Sequence, residues 1–179
     1  WRVSRLDFYA AAIALAGVLL FGILHGILLA ALASVLLLLA RVSSPHVAFL
    51  GRVPGTNSYS DMARHPENEA LVDTVAFRPE ASLIYVNADT VLEAVQQRLN
   101  TTANARLVVC DLSASPYIDL AGARMLREIC VSLSDRGVPM RIVGAHGSVR
   151  DLLRAEGMEK MVGKLDRTLT VDSLLSSLN

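Results

Sequence analysis

The first part of the chain contains a long stretch without formal charge. No Asp, Glu, Lys or Arg occurs between Phe8 and Ala40, a window of 33 residues whose only appreciably polar side chains are those of Tyr9, His25 and Ser34. A run of about 18 apolar residues is enough to indicate a membrane helix. As a single helix the window would measure about 50 Å, whereas the hydrocarbon core of a bilayer is about 30 Å thick. The pattern therefore predicts that residues 1–42 form a transmembrane segment longer than one crossing.

A break in this stretch divides it into two helices. Gly22, His25 and Gly26 interrupt runs rich in Ala, Leu, Ile and Val, which predicts a tight transmembrane helical hairpin with helices over 4–22 and 26–42. Arginines flank both ends of the stretch, and the positive-inside rule is satisfied at both ends only if both are cytoplasmic. These residues are Arg2, Arg5, Arg41 and Arg52. Two crossings are therefore favoured over one, with Trp1, Phe8 and Tyr9 at the cytoplasmic interface.

Small residues in the hairpin predict close helix packing. Gly17, Gly22, Gly26 and several alanines permit close approach to other membrane helices, so the expected partners are the lipid bilayer and further helices upstream of this chain. His25 could relay protons, since ionisable groups at membrane depth are often functional. In a hairpin it instead lies near the far turn, within reach of water, and this structural interpretation is favoured.

The remainder of the chain alternates strand and helix patterns. Residues 43–73 contain Pro, Gly and a polar cluster without a sustained period and are predicted as a linker, followed by a domain over 74–179. Strands are predicted at 74–78 and 82–86, as a hairpin, and at 106–112 and 140–144, with a short one near 161–162. Helices are predicted over 89–99, 118–135, from a cap at Ser148, and over 171–178. This order predicts an α/β domain with a mixed central sheet flanked by helices.

Charge and cysteine content exclude several classes of protein. The 17 Lys and Arg residues balance 17 Asp and Glu, so the basic excess of a nucleic-acid binder is absent. Cys110 and Cys130 lack metal-site spacing and lie in apolar patterns, which favours reduced core thiols and a cytosolic soluble half. Because the chain begins with Trp1, we expect it to be the C-terminal piece of a longer polypeptide.

Candidate chemistry in the soluble half is weak. Asp111 and Asp119 flank one loop but lack a third metal ligand or a nearby nucleophile, and no Gly-x-Ser-x-Gly motif occurs. Asp119 is expected to cap the helix that starts beside it. Residues 144–148 contain two glycines before a helix but match neither a dinucleotide loop nor a P-loop. We therefore predict no enzyme activity, no metal site and no cofactor.

Three segments resemble known families. The run at 108–126 is similar to the central motif of STAS domains, which occur in sulfate transporters and in anti-sigma factor antagonists; it reads VVCDLSASPYIDLAGARML. Residues 45–56 and 77–88 resemble the linker and first hairpin of bacterial SulP-type anion permeases; they read PHVAFLGRVPGT and FRPEASLIYVNA. The resemblance covers nearly the whole chain. It implies the last two membrane helices and the cytoplasmic STAS domain of a secondary active inorganic anion transporter of the sulfate or bicarbonate class.

The resemblance also implies where function lies. The anion site of this family is in earlier helices and so is not in this chain, and the STAS domain would serve a structural or regulatory role at the cell (inner) membrane. A homodimer and a protein or nucleotide ligand are the partners it suggests. The candidate partner-binding loop consists of Asp111, Ser113, Ser115, Asp119, Leu120, Ala121 and Gly122.

One departure from the signalling proteins affects this loop. Anti-sigma antagonists carry Asp-Ser-Ser-Gly at the helix start and are phosphorylated on a serine there, whereas this chain has Leu120 and Ala121 at the two serine positions. Phosphorylation is therefore excluded at those positions. Ser113 and Ser115 remain nearby and are expected to be turn residues. The alternative function is a membrane-tethered STAS interaction or signalling module without transport activity.

Overall fold

The chain folds into two compact units that meet in sequence between Ser44 and Pro45. In this computed structural model the described residues are 5–102 and 104–177. The predictions for Trp1 and Arg2, the helix start at residue 4 and the end of the last helix at residue 178 lie outside them. Each unit is described by itself below.

The first unit is the predicted helical hairpin. Helix α1 spans Arg5–Phe21 and helix α2 spans Ile23–Ser43, joined at Gly22, whose φ of 82° is readily adopted only by glycine. Gly26 of α2 is buried against α1, and a Cβ added to it would lie 2.6 Å from the Cα of Val18. In the described residues, α2 is the helix long and apolar enough to cross a membrane, while α1 has a shorter apolar run, Ala11–Leu20. The hairpin is present, with its turn narrower than predicted.

The second unit contains a five-stranded mixed sheet. In chain order its elements are β1 Val47–Arg52, β2 Tyr59–Asp61, β3 Thr74–Pro79, α3 Ala88–Thr101, β4 Leu107–Asp111, α4 Leu120–Ser134, β5 Met140–Val143, α5 Gly147–Ala155, α6 Glu159–Val162 and α7 Val171–Ser176. The strand order is β2-β1-β3-β4-β5. β1 pairs antiparallel with β2 and β3, whereas β3, β4 and β5 are parallel. The predicted α/β fold with a mixed sheet is confirmed.

Side chains alternate between two cores on opposite faces of the sheet. The larger core packs α3, α4 and α5 against one face and includes Phe77, Val108 and Leu126. On the other face, Val171 and Leu174 of α7 cover a smaller cluster that includes Val109 and Val143. All five residues of β4 are buried, as the apolar run at 106–112 predicts for a central strand.

The predicted linker at 43–73 is wrong in part, because it contains two strands of the sheet. β1 lies between β2 and β3, and its register pairs Phe49 with Phe77. The apolar run at 47–50 is short and bounded by Pro45 and Gly51, so its local pattern resembles a loop. The residues of β1 and β3 that pair are about 30 positions apart in the sequence. No local pattern therefore predicts that residues 47–52 form a strand.

The predicted strand at 82–86 is also wrong. Leu83 makes one isolated bridge to Ile118, and the chain then turns into α3. Asn87 stabilises this turn: its Oδ1 accepts from the backbone N–H of Ile84 and its Nδ2 donates to the carbonyl of Ser82. The turn replaces the predicted hairpin, so that β3 pairs with β1 and β4 instead.

Two smaller corrections concern helices. The short strand predicted near 161–162 is the one-turn helix α6. Ser148 does not cap α5 as predicted, because the helix already begins at Gly147. The residue at the cap position is His146, whose side chain makes no capping hydrogen bond. By contrast, Asp119 caps α4 as predicted.

The contact at Gly26 predicts a position-specific effect on the hairpin. Gly26→Leu should destabilise it by about 1–3 kcal/mol, because the added side chain must separate the two helices at Val18. Thermal loss of helical circular dichroism of the chain in detergent micelles measures this. Ala31→Leu, at an exposed position of the same helix, is the matched control and should leave the transition unchanged. Equal effects of the two substitutions would contradict the packing described.

Candidate functional site

Asp111 ends β4 and lies in an ion pair below the surface. Its Oδ2 is 2.7 Å from Nη2 of Arg78 and accepts a 2.8 Å hydrogen bond from Nε of the same guanidinium. Its Oδ1 accepts the backbone N–H of Ser113 at 2.9 Å. Because the parallel strands β3 and β4 end side by side, Arg78 reaches Asp111 across one strand spacing. Asp111 therefore neutralises Arg78 and also shapes the loop that follows β4.

A cleft of about 410 Å³ opens beside this pair. It is lined by Asn57, Tyr59, Arg78, Asp111, Ser113, Gly144, Thr170, Val171 and Asp172. The Tyr59 hydroxyl donates to Oδ1 of Asp172 at 3.4 Å, and burial together with this carboxylate raises the pKa of Tyr59. The cleft thus contains one cation and two carboxylates, and its charge does not favour an anionic ligand.

Asp119 joins the start of α4 to the segment before α3. Its Oδ1 accepts from the backbone N–H of Gly122 at 2.8 Å, and its Oδ2 accepts from that of Tyr85 at 2.8 Å. Gly122 lies so close to this segment that an added Cβ would be 2.5 Å from the carbonyl oxygen of Leu83. Both carboxylate oxygens of Asp119 are thus used to hold backbone, and its role is structural positioning.

Apolar side chains are exposed around this helix start. Tyr85 is 80% exposed, Tyr117 56% and Leu120 44%. We call these three residues the α4 start surface. Shallow clefts lie on either side of Leu120, one of about 300 Å³ towards α5 and one of about 400 Å³ towards α3. Exposed aromatic and aliphatic groups beside such clefts are typical of a surface that binds another molecule.

The two predicted serines have different environments. Ser115 is fully buried and its hydroxyl donates to the carbonyl of Pro79 at 3.1 Å. Ser113 is exposed, and its carbonyl accepts from Nε2 of His146 at 3.2 Å. The predicted loop therefore separates into three parts. Asp111 and Ser113 line the cleft, Ser115 belongs to the interior, and Asp119, Leu120, Ala121 and Gly122 form the start of α4.

Sequence reasoning missed Arg78, Tyr85 and Tyr117. Arg78 becomes significant only when β3 is parallel to β4, and the hairpin predicted for 74–86 concealed that neighbour. The sequence pattern predicts Tyr85 within a strand, which hides its exposure. The sequence at 83–86 is apolar throughout and gives no warning against a strand. Only the structure shows that Leu83 is buried while Tyr85 and Val86 are both exposed, which the two-residue periodicity of a strand does not allow.

Cys110 and Cys130 are buried free thiols, as predicted. Burial raises the pKa of both, that of Cys130 to about 11. Both are therefore protonated and unreactive at neutral pH. Within residues 5–102 and 104–177, no group of three or more His, Cys, Asp and Glu side chains is arranged to hold a metal ion.

The fold and this site define a class of protein. Residues 65–171, more than half of the chain, match the STAS domain family, and the chain belongs to that family. A crystal structure of a candidate anti-sigma factor antagonist from Thermotoga maritima shares the fold, with a TM-score of 0.53 and 22% identity over 61% of this chain and 90% of that one. The STAS resemblance is thereby confirmed.

Similarity beyond the STAS domain is to transporters. Low affinity sulfate transporter 3 of Stylosanthes hamata is 30% identical over 192 residues, which is 99% of this chain and 30% of that protein. Probable sulfate transporter 4.2 of Arabidopsis thaliana is 26% identical over 92% of this chain and 26% of its own length. The chain thus spans less than a third of these relatives. The resemblance to the C-terminal region of SulP-type transporters is confirmed, while a bacterial origin stays a prediction.

A solved transporter shares the fold of nearly the whole chain. The murine Solute Carrier 26 family member A9 anion transporter, in its inward-facing state, matches with a TM-score of 0.81 and 16% identity. The match covers 99% of this chain and 29% of that one. At this identity the match describes the fold alone.

The ion pair at Asp111 predicts a large effect of one substitution. Arg78→Met should lower the free energy of unfolding by about 3 kcal/mol, because it leaves the buried carboxylate of Asp111 without its counter-charge. Urea unfolding of the chain in detergent, followed by circular dichroism, measures this. Arg106→Met, which removes the exposed pair with Asp73, is the control and should cost less than about 1 kcal/mol. A loss at Arg78 no larger than that at Arg106 would contradict the role given to the pair.

Proposed function

We propose that this chain is the C-terminal part of a secondary active transporter of inorganic anions of the sulfate or bicarbonate class. The observation that supports this most is the extent of the similarity, since the match with a sulfate transporter covers the apolar hairpin as well as the STAS domain. A STAS domain alone would be equally compatible with a signalling protein. The anion site then belongs to membrane helices upstream of this chain, where ends of broken helices present positive dipoles to an anion.

In this proposal the hairpin crosses the cell (inner) membrane twice and the STAS domain is cytoplasmic. The apolar α2 supports the crossing, and Arg41 in its last turn supports a cytoplasmic end. The exposed aliphatic side chains along α1 and α2 would contact lipid and the upstream helices. The buried free thiols fit a reducing compartment.

The STAS domain is proposed to regulate or support the transporter by binding a partner at the α4 start surface. The exposed Tyr85 and Tyr117 suit a protein partner, because aromatic side chains with one polar end are enriched at protein interfaces. Leu120 and Ala121 carry no hydroxyl, so binding here is controlled by contact and not by phosphorylation at these two positions. A nucleotide bound at the same loop and a second copy of the chain, in a homodimer, are the alternative partners in this proposal.

A membrane-tethered STAS module without transport activity is the second candidate. The STAS fold of this chain is similar to that of the Thermotoga maritima protein, and this similarity supports the second candidate. The full-length coding sequence separates the two functions, because a transporter requires about a dozen membrane spans upstream and in frame, whereas a start codon just before Trp1 would leave only the tether.

Transport is the direct test of the first candidate. The full-length protein, produced in cells that lack their own carriers, should take up labelled sulfate or bicarbonate, and a version that ends at Ser44 should show whether the STAS domain is required or modulatory. Uptake no greater than in empty cells, for both anions and with the protein shown to be at the membrane, would contradict the proposal.

The α4 start surface makes a separate prediction in the full-length protein. Leu120→Asp should alter the uptake rate, because a charge at a docking centre costs about 2 kcal/mol or more of partner binding. Val131→Asp is the matched control, since Val131 is 48% exposed on the same helix but about three turns away. Uptake and surface abundance of both variants are measured together. Unaltered uptake by Leu120→Asp, or equal effects of the two substitutions, would contradict the docking role of the α4 start surface. The proposal that the full-length protein is a transporter would still stand.

A further inference from the structure

An imidazole and a buried carboxylate meet where the chain enters the STAS domain. His46 is the third residue after the end of α2 and immediately precedes β1. Its Nε2 lies 2.7 Å from Oδ2 of Asp61, the last residue of β2. The His46 side chain is 42% exposed, whereas that of Asp61 is 6% exposed. The imidazole is therefore accessible to water, whereas little water could replace a hydrogen-bond partner that the carboxylate had lost.

Asp61 is held in its ionised form. Burial opposes its charge, but hydrogen bonds from the backbone N–H of Ala63 and from His46, together with the charges of His46 and Arg64, keep its pKa below the ordinary value. The Ala63 N–H donates to Oδ1 at 2.9 Å, which leaves Oδ2 to His46. Asp61 therefore presents a fixed negative charge to the imidazole across the whole physiological pH range.

The other charged groups around the pair are Arg64 and Glu80. Arg64, in the turn after β2, has its Nε 3.8 Å from Oδ2 of Asp61 and its Nη2 3.8 Å from Oε2 of Glu80. Glu80 follows β3, and its backbone N–H donates to the carbonyl of His46 at 2.9 Å. The charged groups near the imidazole are thus two carboxylates and the mostly exposed guanidinium of Arg64, and Asp61 is the one in direct contact with it.

We propose that His46 and Asp61 form a proton-sensitive clasp that fastens the start of β1 to the end of β2. With a neutral imidazole the contact is one hydrogen bond, whose roles depend on the ring tautomer. Protonation makes Nε2 a cationic donor to an ionised carboxylate, and such charge-assisted bonds are roughly twice as strong as neutral ones. Imidazole is the side chain that changes charge between about pH 5 and pH 8. The first strand of the domain is thus held more firmly as the pH falls.

The position of the clasp connects it to the rest of the chain. β1 pairs with both β2 and β3, and Met62, the residue after Asp61, donates its N–H to the carbonyl of Phe49 in β1. Loosening the clasp therefore weakens the attachment of the start of β1 to the end of β2, while the pairing of β1 with β3 remains.

Hydrogen exchange of the whole chain in detergent tests the clasp. Exchange at the amides of Met62, Ala63 and Glu80 is compared at about pH 6 and about pH 8, each rate being corrected for the intrinsic exchange at that pH. The expected result is about three- to tenfold greater protection at the lower pH. His46→Gln, which can donate to Asp61 but does not titrate, should abolish the difference.

His65→Gln is the matched control. His65 lies in the same region, but its ring contacts the exposed Glu67, at 3.1 Å, and does not contact Asp61. This variant should retain the difference in protection between the two pH values. Protection in the unsubstituted chain that is equal at both pH values, or a difference that persists in His46→Gln, would overturn the clasp, whatever the outcome of the transport experiments.

Discussion

Burial of β4 on both faces is the constraint on which the domain depends. Its side chains alternate between the two cores, so both cores pack against this strand. A strand in this position cannot carry a charge without a partner, because an unpaired carboxylate is very costly in the interior. Asp111 is accordingly bound by Arg78 from the neighbouring strand. Because Asp111 ends β4, its ion pair with Arg78 also fixes where the loop towards α4 begins, and the candidate site lies along that loop.

The features that could be predicted from sequence are those with a local signal. The apolar run of β4 indicates a strand buried on both faces, and Asp119 before an amphipathic stretch indicates a helix cap; the structure contains both. The uncharged stretch likewise predicts the hairpin. Gly26, however, is expected from the sequence to pack against further helices upstream, whereas in the structure it packs against Val18 of α1. In each case the residues that carry the signal also make the structure.

The features that were missed depend on partners distant in sequence. β1 has a short apolar run like that of many loops, and only its pairing with β3 makes it a strand. The burial of Ser115 depends on the carbonyl of Pro79, 36 positions earlier. Arg78 acquires its role from a parallel neighbour that no local pattern reveals. Exposed hydrophobic residues such as Tyr85 are hard to distinguish from strand positions until the turn at Asn87 is known.

The second face of the sheet is covered by the short helix α7, and this has a consequence for the cleft beside Asp111. One wall of this cleft is made by Tyr59, Arg78 and Asp111, which belong to three strands of the sheet. The opposite wall is made by Thr170, Val171 and Asp172 at the start of α7, a helix of 6 residues. This helix contributes two buried side chains, Val171 and Leu174, to the smaller core, and segments with few buried contacts open locally at a lower free energy than the core does. The cleft therefore keeps this second wall only while α7 is folded.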